Sequence, residues 1–424
     1  MPFAGRDLGG DVKINAGDTA WMLVSTGLVM FMTPGLALFY GGMVRAKNVL
    51  AMLMQNFFCL GIVSVIWAVV AYSLAFGGTG EFIGNFDFAF MNDTAKQFPV
   101  GVALAIPPLL YCVYQMMFAV ITPALVSGAV ADRMQFKAWV WFVGLWMILV
   151  YAPVAHWVFA PEGWLFKEGA LDFAGGTVVH INAGIAALAA VLVLGKRRGW
   201  PNHPMPPHNL PLTLIGAGIL WFGWFGFNAG SALAGNGLAV QALVNTHLAA
   251  SAAMLGWLAV EKLRSGHATT LGAASGAVAG LVAITPCAGF VGSMSSIYIG
   301  AIAGGVCMLA VGLKSRFGYD DSLDVIGVHL AGGLLGTLLL GLFADLSING
   351  AGADGLLYGG GFDLLAKQAL AAGSVMAYSF VVTLLIMVVL NKLLPGGVRV
   401  SAEDEETGLD LTQHSETGYA LDRV

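Results

Sequence analysis

Eleven long apolar runs constrain this chain more than any other feature of its sequence. A helix that spans a bilayer needs about 20 mostly apolar residues in succession. The runs lie near residues 19–43, 49–76, 100–130, 138–158, 174–195, 209–231, 238–261, 270–287, 291–313, 324–344 and 368–394. Their length, and the lack of the alternating pattern of a barrel strand, predict an all-α polytopic membrane protein with eleven transmembrane helices.

The basic residues predict the orientation of these helices. If the N-terminus lies outside, the inside segments hold 14 of the 19 Lys and Arg residues and the outside segments hold 5. Positive charge concentrates on the cytoplasmic side of a membrane protein. We therefore expect a multi-pass protein of the cell (inner or plasma) membrane, with its N-terminus outside and its C-terminus in the cytoplasm. The first residues lack the pattern of a cleaved signal peptide, so we expect them to be retained.

The overall composition excludes several other classes of protein. Hydrophobic residues make up 58% of the chain and charged residues 10%, and the net charge is −5. A soluble domain carries about 25% charged residues, and a nucleic-acid binder needs a basic surface. The four cysteines lie inside apolar runs without CxxC spacing, so we expect small buried hydrophobic side chains rather than a metal or disulfide site.

Two histidines occupy related positions in the fifth and tenth runs. His180 and His329 each follow a valine and precede a glycine by a few residues. Because five runs separate them, runs 1–5 (19–195) and 6–10 (209–344) are predicted to be inverted halves, with the eleventh (368–394) added. His180 lies about 12 Å along its helix from Asp172, and His329 about 8 Å from Asp324, so the rings could meet from opposite sides. Packing of two satisfied histidines is the alternative to a functional pair.

Several longer motifs, in order, resemble those of the ammonium transporter (Amt/MEP/Rh) family, and its bacterial or archaeal Amt branch more than its Rh branch. The resemblance covers essentially the whole chain and implies a homotrimer of eleven-helix protomers, each with its own pore. The motifs are Pro34–Asn48, Asp172–Gly184, Trp221–Ser231, Asp324–His329 and the tail segment Gly408–His414.

The resemblance implies a conduction path through each protomer. His180 and His329 correspond to twin histidines that line the pore, and Phe118 and Phe227 to a stacked aromatic gate.

An outer site that recruits the substrate is implied as well. Ser231 corresponds to the hydroxyl that contacts the cation, with Tyr114 beside it. Phe159 stands where the family has a tryptophan, a departure that Trp157 or Trp164 could offset.

Four further residues are expected beside this path in structural roles. Asp172 is predicted to cap the fifth helix, although a direct contact with the cation is the alternative, and Asp324 is predicted to cap the tenth. Trp224 lies within the Trp221–Ser231 motif. Thr285, next to Pro286, either lines the pore or only bends the eighth helix.

The expected chemistry follows from the cost of dehydrating a small cation, which is tens of kcal/mol on an idealised estimate for a medium of low dielectric constant. Aromatic faces and a serine hydroxyl can replace part of the hydration of ammonium at the outer site. Beyond a deprotonation step near the phenylalanine gate, two neutral imidazoles with complementary tautomers can pass ammonia, or relay its proton separately. Potassium has no proton to lose, so this route would exclude it.

Residues 395–424 differ from the rest of the chain, because apolar periodicity ends and Glu403–Glu406 are all acidic. Composition alone fits a disordered tail. The resemblance instead implies an ordered cytoplasmic regulatory tail and a PII-type (GlnK/GlnB-like) regulatory partner.

Ammonium transport is the leading prediction for function. An ammonium sensor or transceptor on the same fold is the main alternative, although little chain follows the last run to form an output domain. A membrane metalloenzyme would need at least three ligands, and no HExxH motif occurs. We expect no cofactor, no metal ion and no nucleic-acid partner; the partners expected are ammonium or ammonia and membrane lipid.

Overall fold

The computed structural model describes residues 13–419, and eleven apolar helices make up most of this part of the chain. Ten of them are long and apolar enough to cross a membrane, and the eighth has 15 residues. The helices are α1 (Ala16–Met43), α2 (Ala46–Phe76), α3 (Pro108–Val130), α4 (Phe136–Lys167), α5 (Gly176–Leu194), α6 (Leu210–Ala232), α7 (Gly237–Ser265), α8 (Thr270–Ile284), α9 (Ser293–Phe317), α10 (Ile326–Phe343) and α11 (Asp363–Leu393).

Two of the predicted helix boundaries were wrong for the same reason. The third run was expected to begin at 100, but α3 begins at Pro108, because Pro107 and Pro108 force the preceding backbone out of the helical region. The eighth was expected to reach 287, but α8 ends at Ile284, two residues before Pro286, and turns follow it. Proline therefore shortens both helices relative to the apolar runs.

The two ends of the described chain lie on opposite faces of the bundle, as an odd number of crossings requires. The N–H of Asn15, before α1, donates to the carbonyl of Ala105 in the α2–α3 connection. At the other end, residues 395–419 contact the start of α2 and the α3–α4 connection. We call the face that carries residues 395–419 the tail face and the other the opposite face.

Several helices contain one π-helical turn, in which the backbone is wider than in an α-helix. Three of these turns carry a predicted pore or gate residue: His180 in α5, Phe227 in α6 and His329 in α10. Such turns often mark functional sites because they re-aim a side chain and disturb the regular hydrogen bonds. The five turns are Trp67–Ala71, Met147–Tyr151, Gly176–Ile181, Phe225–Ala229 and Ile326–Leu330.

Glycine brings α5 and α10 together beside the two histidines. A Cβ on Gly184 would lie 2.4 Å from the backbone nitrogen of Leu330, and one on Gly333 would lie 3.0 Å from the Cβ of His180. No larger residue fits at Gly184 unless a helix moves. Small residues here allow the close helix approach that membrane proteins use widely.

The tail is ordered as far as residue 419, which excludes the disordered alternative for that part; residues 420–424 lie outside the described residues. It forms helices α12 (Ala402–Thr407) and α13 (Leu409–His414). The N–H of Leu409 donates to Oδ1 of Asn48 at 2.8 Å, and the N–H of Ala51 donates to Oδ1 of Asp410 at 2.8 Å. These bonds dock the tail onto the start of α2.

Ion pairs connect the loops of the tail face beneath the tail. Arg197 donates to both carboxylate oxygens of Asp320, at 3.0 and 2.9 Å, and Arg45 pairs with Asp132 at 3.0 Å. Burial raises the pKa of Asp320, but its bonds to Arg197 and the charge of Arg133 together lower the pKa by more than burial raises it, so the net shift is downward. The fully buried Arg133 donates to the carbonyls of Gly195 and Asp320.

Candidate functional site

The two histidines predicted from opposite halves of the chain meet inside the bundle. The Nδ1 atoms of His180 and His329 lie 3.3 Å apart, and their rings are 5.3 Å apart at an angle of 21°. A hydrogen bond between two Nδ1 atoms needs one protonated and one unprotonated nitrogen, so two neutral rings take opposite tautomers. Nε2 of His180 is buried and has no hydrogen-bond partner between residues 13 and 419. The pair therefore keeps a polar atom available to a passing molecule.

An aromatic stack lies directly beside the pair. The rings of Phe118 and Phe227 are 4.2 Å apart at 28°, and Phe227 lies 6.1 Å from the ring of His180. Both phenylalanines are fully buried. They pack on the His180 side of the histidine pair.

Ser231 and Tyr114 lie on the far side of this stack from the histidines. The hydroxyl of Ser231 donates to the carbonyl of Phe227 at 2.9 Å and lies 3.3 Å from the hydroxyl of Tyr114. Because its proton is engaged, the Ser231 oxygen has lone pairs left to accept an N–H bond. The ring of Tyr114 is 5.0 Å from Phe118 in an edge-to-face contact, so the hydroxyl site and the stack are adjacent.

Phe159, predicted to share this outer site, is fully buried at the end of the helical segment Ala152–Phe159 within α4. Within residues 13–419 its ring contacts neither Tyr114 nor Phe118, so its part in the site stays a prediction. Trp157, the predicted substitute, donates its indole N–H to the carbonyl of Phe82 at 2.7 Å and packs on Trp164 at 5.8 Å. Both tryptophans pack with the α2–α3 connection of the opposite face.

Two small cavities follow one another along the path. The first has a volume of about 10 Å³ and is lined by His180, His329 and Phe227, among others. The second, also about 10 Å³, is lined by His329, Tyr40, Ser275 and Asp324 on the side toward the tail face. About 10–15 Å³ of accessible volume is the space for one water-sized molecule. His329 borders both cavities, together with Phe39 and Val278.

Asp172 caps α5 with an unusually complete set of bonds. Its Oδ1 accepts the N–H groups of Gly175 and Gly176 at 2.7 and 2.8 Å, and its Oδ2 those of Thr177 and Val178 at 2.8 and 3.2 Å. Burial raises the pKa of Asp172, and these four bonds lower it in part. The geometry matches the predicted cap, because all four donors belong to the turn that leads into His180.

The corresponding prediction for α10 was wrong. Asp321, and not Asp324, accepts the N–H groups of Val325 and Ile326, at 3.1 and 2.7 Å. Asp324 instead has a left-handed backbone, with φ of 65°, and forms an ion pair with Lys314. Asp321 precedes His329 by eight residues, as Asp172 precedes His180. That equal spacing was the sequence signal that could have identified the cap.

Trp224 and Thr285 support the pair from the side, and the stacking of Trp224 was not predicted. The indole of Trp224 stacks on His180 at 5.4 Å and 21°, and its N–H donates to the hydroxyl of Thr285 at 2.9 Å. The hydroxyl of Thr285 in turn donates a hydrogen bond to the carbonyl of Leu281 at 2.7 Å. This chain of bonds fixes the indole face against the histidine.

These features define a membrane transport protein with a narrow, largely apolar path. No group of three or more His, Cys, Asp or Glu side chains between residues 13 and 419 could hold a metal ion. The class is supported by two buried histidines in helices long and apolar enough to cross a membrane, where an ionisable residue is a candidate for function.

Comparison with known proteins specifies the class. The model of the Ammonium Transporter Family matches residues 20–419. The chain is 52% identical to an ammonium transporter of Mycobacterium tuberculosis, over 96% of this chain and 90% of the relative. It is 48% identical to an ammonium transporter of Bacillus subtilis, over 95% and 98%. The crystal structure of Candida albicans Mep2 superposes with a TM-score of 0.87 at 33% identity, covering 95% of this chain and 91% of that one. This chain belongs to the ammonium transporter family, whose members are transporters and not enzymes.

Proposed function

We propose that this chain transports ammonium across the cytoplasmic membrane, with ammonia as the species that crosses the pore. The observation that carries this proposal is the His180–His329 pair, 3.3 Å apart at Nδ1, beside a cavity of about 10 Å³ behind the Phe118–Phe227 stack. Such a path suits one small molecule that can both donate and accept hydrogen bonds.

Recruitment takes place at Ser231. Its free lone pairs accept an N–H bond, and the aromatic faces of Tyr114 and Phe118 add cation–π attraction of about 0.5–2 kcal/mol per ring. This gain is far smaller than the tens of kcal/mol that full dehydration of an ion costs. The site therefore concentrates ammonium at the stack without carrying the charge through it. Phe159 contributes further apolar surface under this proposal.

Selectivity follows from loss of the proton at the phenylalanine stack. Ammonium that gives its proton to a neighbouring base or water becomes neutral ammonia, for which an apolar cavity is no barrier of comparable size. Potassium has no proton to lose and keeps its full dehydration cost. The path thus admits the nitrogen compound and rejects a metal cation of similar charge.

The proton crosses along the histidine pair. Nε2 of His180 accepts a proton while its Nδ1 proton passes to Nδ1 of His329, and His329 releases a proton from its own Nε2. One proton enters and one leaves, so each ring ends neutral in the other tautomer. Rotation of the rings then restores the starting state, because exchange in the reverse direction would carry the proton back to the side from which it came.

The tail face is the cytoplasmic face in this proposal, because the excess of Lys and Arg lies on the segments of that side. We further propose that the two halves, 19–195 and 209–344, are inverted repeats. The equal spacing of Asp172 and Asp321 from their histidines supports that relation.

Three protomers, each with its own pore, form the proposed functional unit, and a PII-type protein is the proposed cytoplasmic partner. The ordered tail supplies a defined surface for such a partner, with acidic side chains on α12. Sensing is not favoured as the function, because the family model and the curated relatives are transporters.

Ammonium-induced current on solid-supported membranes, with purified protein in liposomes, tests the proposal. We expect wild-type protein to give a current with ammonium and none with potassium. His180→Ala and His329→Ala should reduce the ammonium current or admit potassium. His247→Ala is the matched control, because His247 lies on α7 with its side chain exposed. Unchanged current and unchanged potassium rejection in both pore variants would refute the route.

A further inference from the structure

The second cavity contains polar atoms that the proposed route does not use. It lies between His329 and the tail face and is lined by Ser275 and Asp324. Asp321 caps α10, so the carboxylate of Asp324 is not needed for that purpose. Its left-handed backbone, with φ of 65°, is one that Asp tolerates better than most residues, at some conformational cost.

The side-chain ammonium group of Lys314 already contacts one oxygen of the Asp324 carboxylate. Nζ of Lys314, near the end of α9, donates to Oδ1 of Asp324 and to the backbone carbonyl of Asp321, the latter at 3.1 Å. The side chains of Lys314 and Asp324 are 21% and 25% exposed, so the pair is reachable from the tail face. Oδ2 of Asp324 has no hydrogen-bond partner in the described chain.

The lysine head group and the ammonium ion share their charge and their N–H donors. A carboxylate and a carbonyl that bind one can therefore bind the other. We propose that Asp324 and the carbonyl of Asp321 form an ammonium-binding site at the tail-face mouth, which Lys314 fills until ammonium displaces it. This inference rests on the proposed function, because it assigns the substrate of the same path to a second site.

Through this site, ammonium that has accumulated on the tail-face side of the membrane slows further uptake. When ammonium is scarce there, Lys314 holds Asp324 and the second cavity stays open to ammonia arriving past His329. When ammonium is abundant, it competes for Asp324 and places a cation, with its bound water, next to the cavity. A hydroxyl lies close by, on Ser275, to hold that ion.

Uptake into right-side-out membrane vesicles tests the inference, with ¹⁵N-ammonium outside and unlabelled ammonium loaded inside. Lys314→Met should lower the internal concentration that halves initial uptake by about threefold, the factor expected for loss of a partly exposed ion pair. Lys314→Arg should stay near wild type. Asp324→Asn, and the double variant that combines it with Lys314→Met, should need more internal ammonium for half-inhibition of uptake than Lys314→Met alone. Lys262→Met is the matched control, since it removes an exposed charge from the tail face.

The inference would be overturned if the internal ammonium concentration that halves initial uptake were the same in Lys314→Met and wild type. It would also be overturned if the variant with both Lys314→Met and Asp324→Asn behaved like Lys314→Met alone. If wild-type vesicles take up no ammonium, the proposed function fails instead. The inference is then still decided on purified protein, by the rise in melting temperature with ammonium chloride over that with potassium chloride. That rise should be largest in Lys314→Met and absent in Asp324→Asn.

Discussion

Replacing Asp172 by asparagine tests whether this residue acts through the helix that carries His180 or on the cation itself. The carboxylate accepts four backbone N–H bonds, two at each oxygen. An amide keeps one acceptor oxygen and turns an NH₂ group toward the other two donors. Two buried N–H groups then lose their partner, and each such loss costs about 1–3 kcal/mol. We expect a destabilisation of roughly 2–6 kcal/mol, because the two losses add at this single site.

Thermal unfolding of the purified protein in detergent measures this cost. The melting temperature of Asp172→Asn should fall by several degrees, and Asp172→Ala should fall further because all four donors lose the carboxylate. Glu168→Gln, an exposed acid on the same face, should unfold like wild type. At a temperature where Asp172→Asn is still folded, its half-saturating ammonium concentration should stay near that of wild type.

A different pattern would refute the reasoning. If Asp172→Asn kept the wild-type melting temperature but needed much more ammonium for half-maximal current, the carboxylate would be a ligand and not a cap. A melting temperature lowered equally by Glu168→Gln would show that the effect comes from general loss of charge.

Three further results are expected. Thr285→Val removes the acceptor of the Trp224 indole N–H and should reduce ammonium current, whereas Thr285→Ser should retain it. Burial raises the pKa of Asp321 to about 6, so the folded state binds a proton that the unfolded state releases near pH 4. Stability should therefore fall as pH rises from about 4 to 6, and Asp321→Asn should flatten that part of a plot of melting temperature against pH. Gly184→Ala should lower the melting temperature strongly, since its Cβ would lie 2.4 Å from a backbone nitrogen of α10, while Gly218→Ala, with open space around it, should not.

The sequence predicted the helices well because a membrane removes most alternatives. Backbone polar groups in the bilayer core must be paired either within a helix or between the strands of a closed barrel, so a long apolar run without strand alternation is read as a helix. The errors occur where another local rule overrides apolarity, as at Pro107 and Pro286. An apolar run does not show that proline ends the helix before the run does.

The site was predicted in outline but not in its local geometry. The pairing of His180 with His329 followed from depth along two opposed helices. The π-helical turns could not be predicted, because they depend on which backbone bonds the packed helices leave unmade. The cap of α10 was misassigned for a simpler reason: Asp321 and Asp324 both precede the helix, and proximity to His329 favoured the wrong one.

The size of the two cavities determines how the fluxes of molecules in the two directions along the path depend on each other. Each has room for about one water-sized molecule, so occupants cannot overtake one another. Water and the transported molecule must take turns in the same positions, and the flux at high concentration is set by how quickly each position empties. Tracer flux in the two directions should then be interdependent, as in a single-file queue, and not the sum of two independent streams.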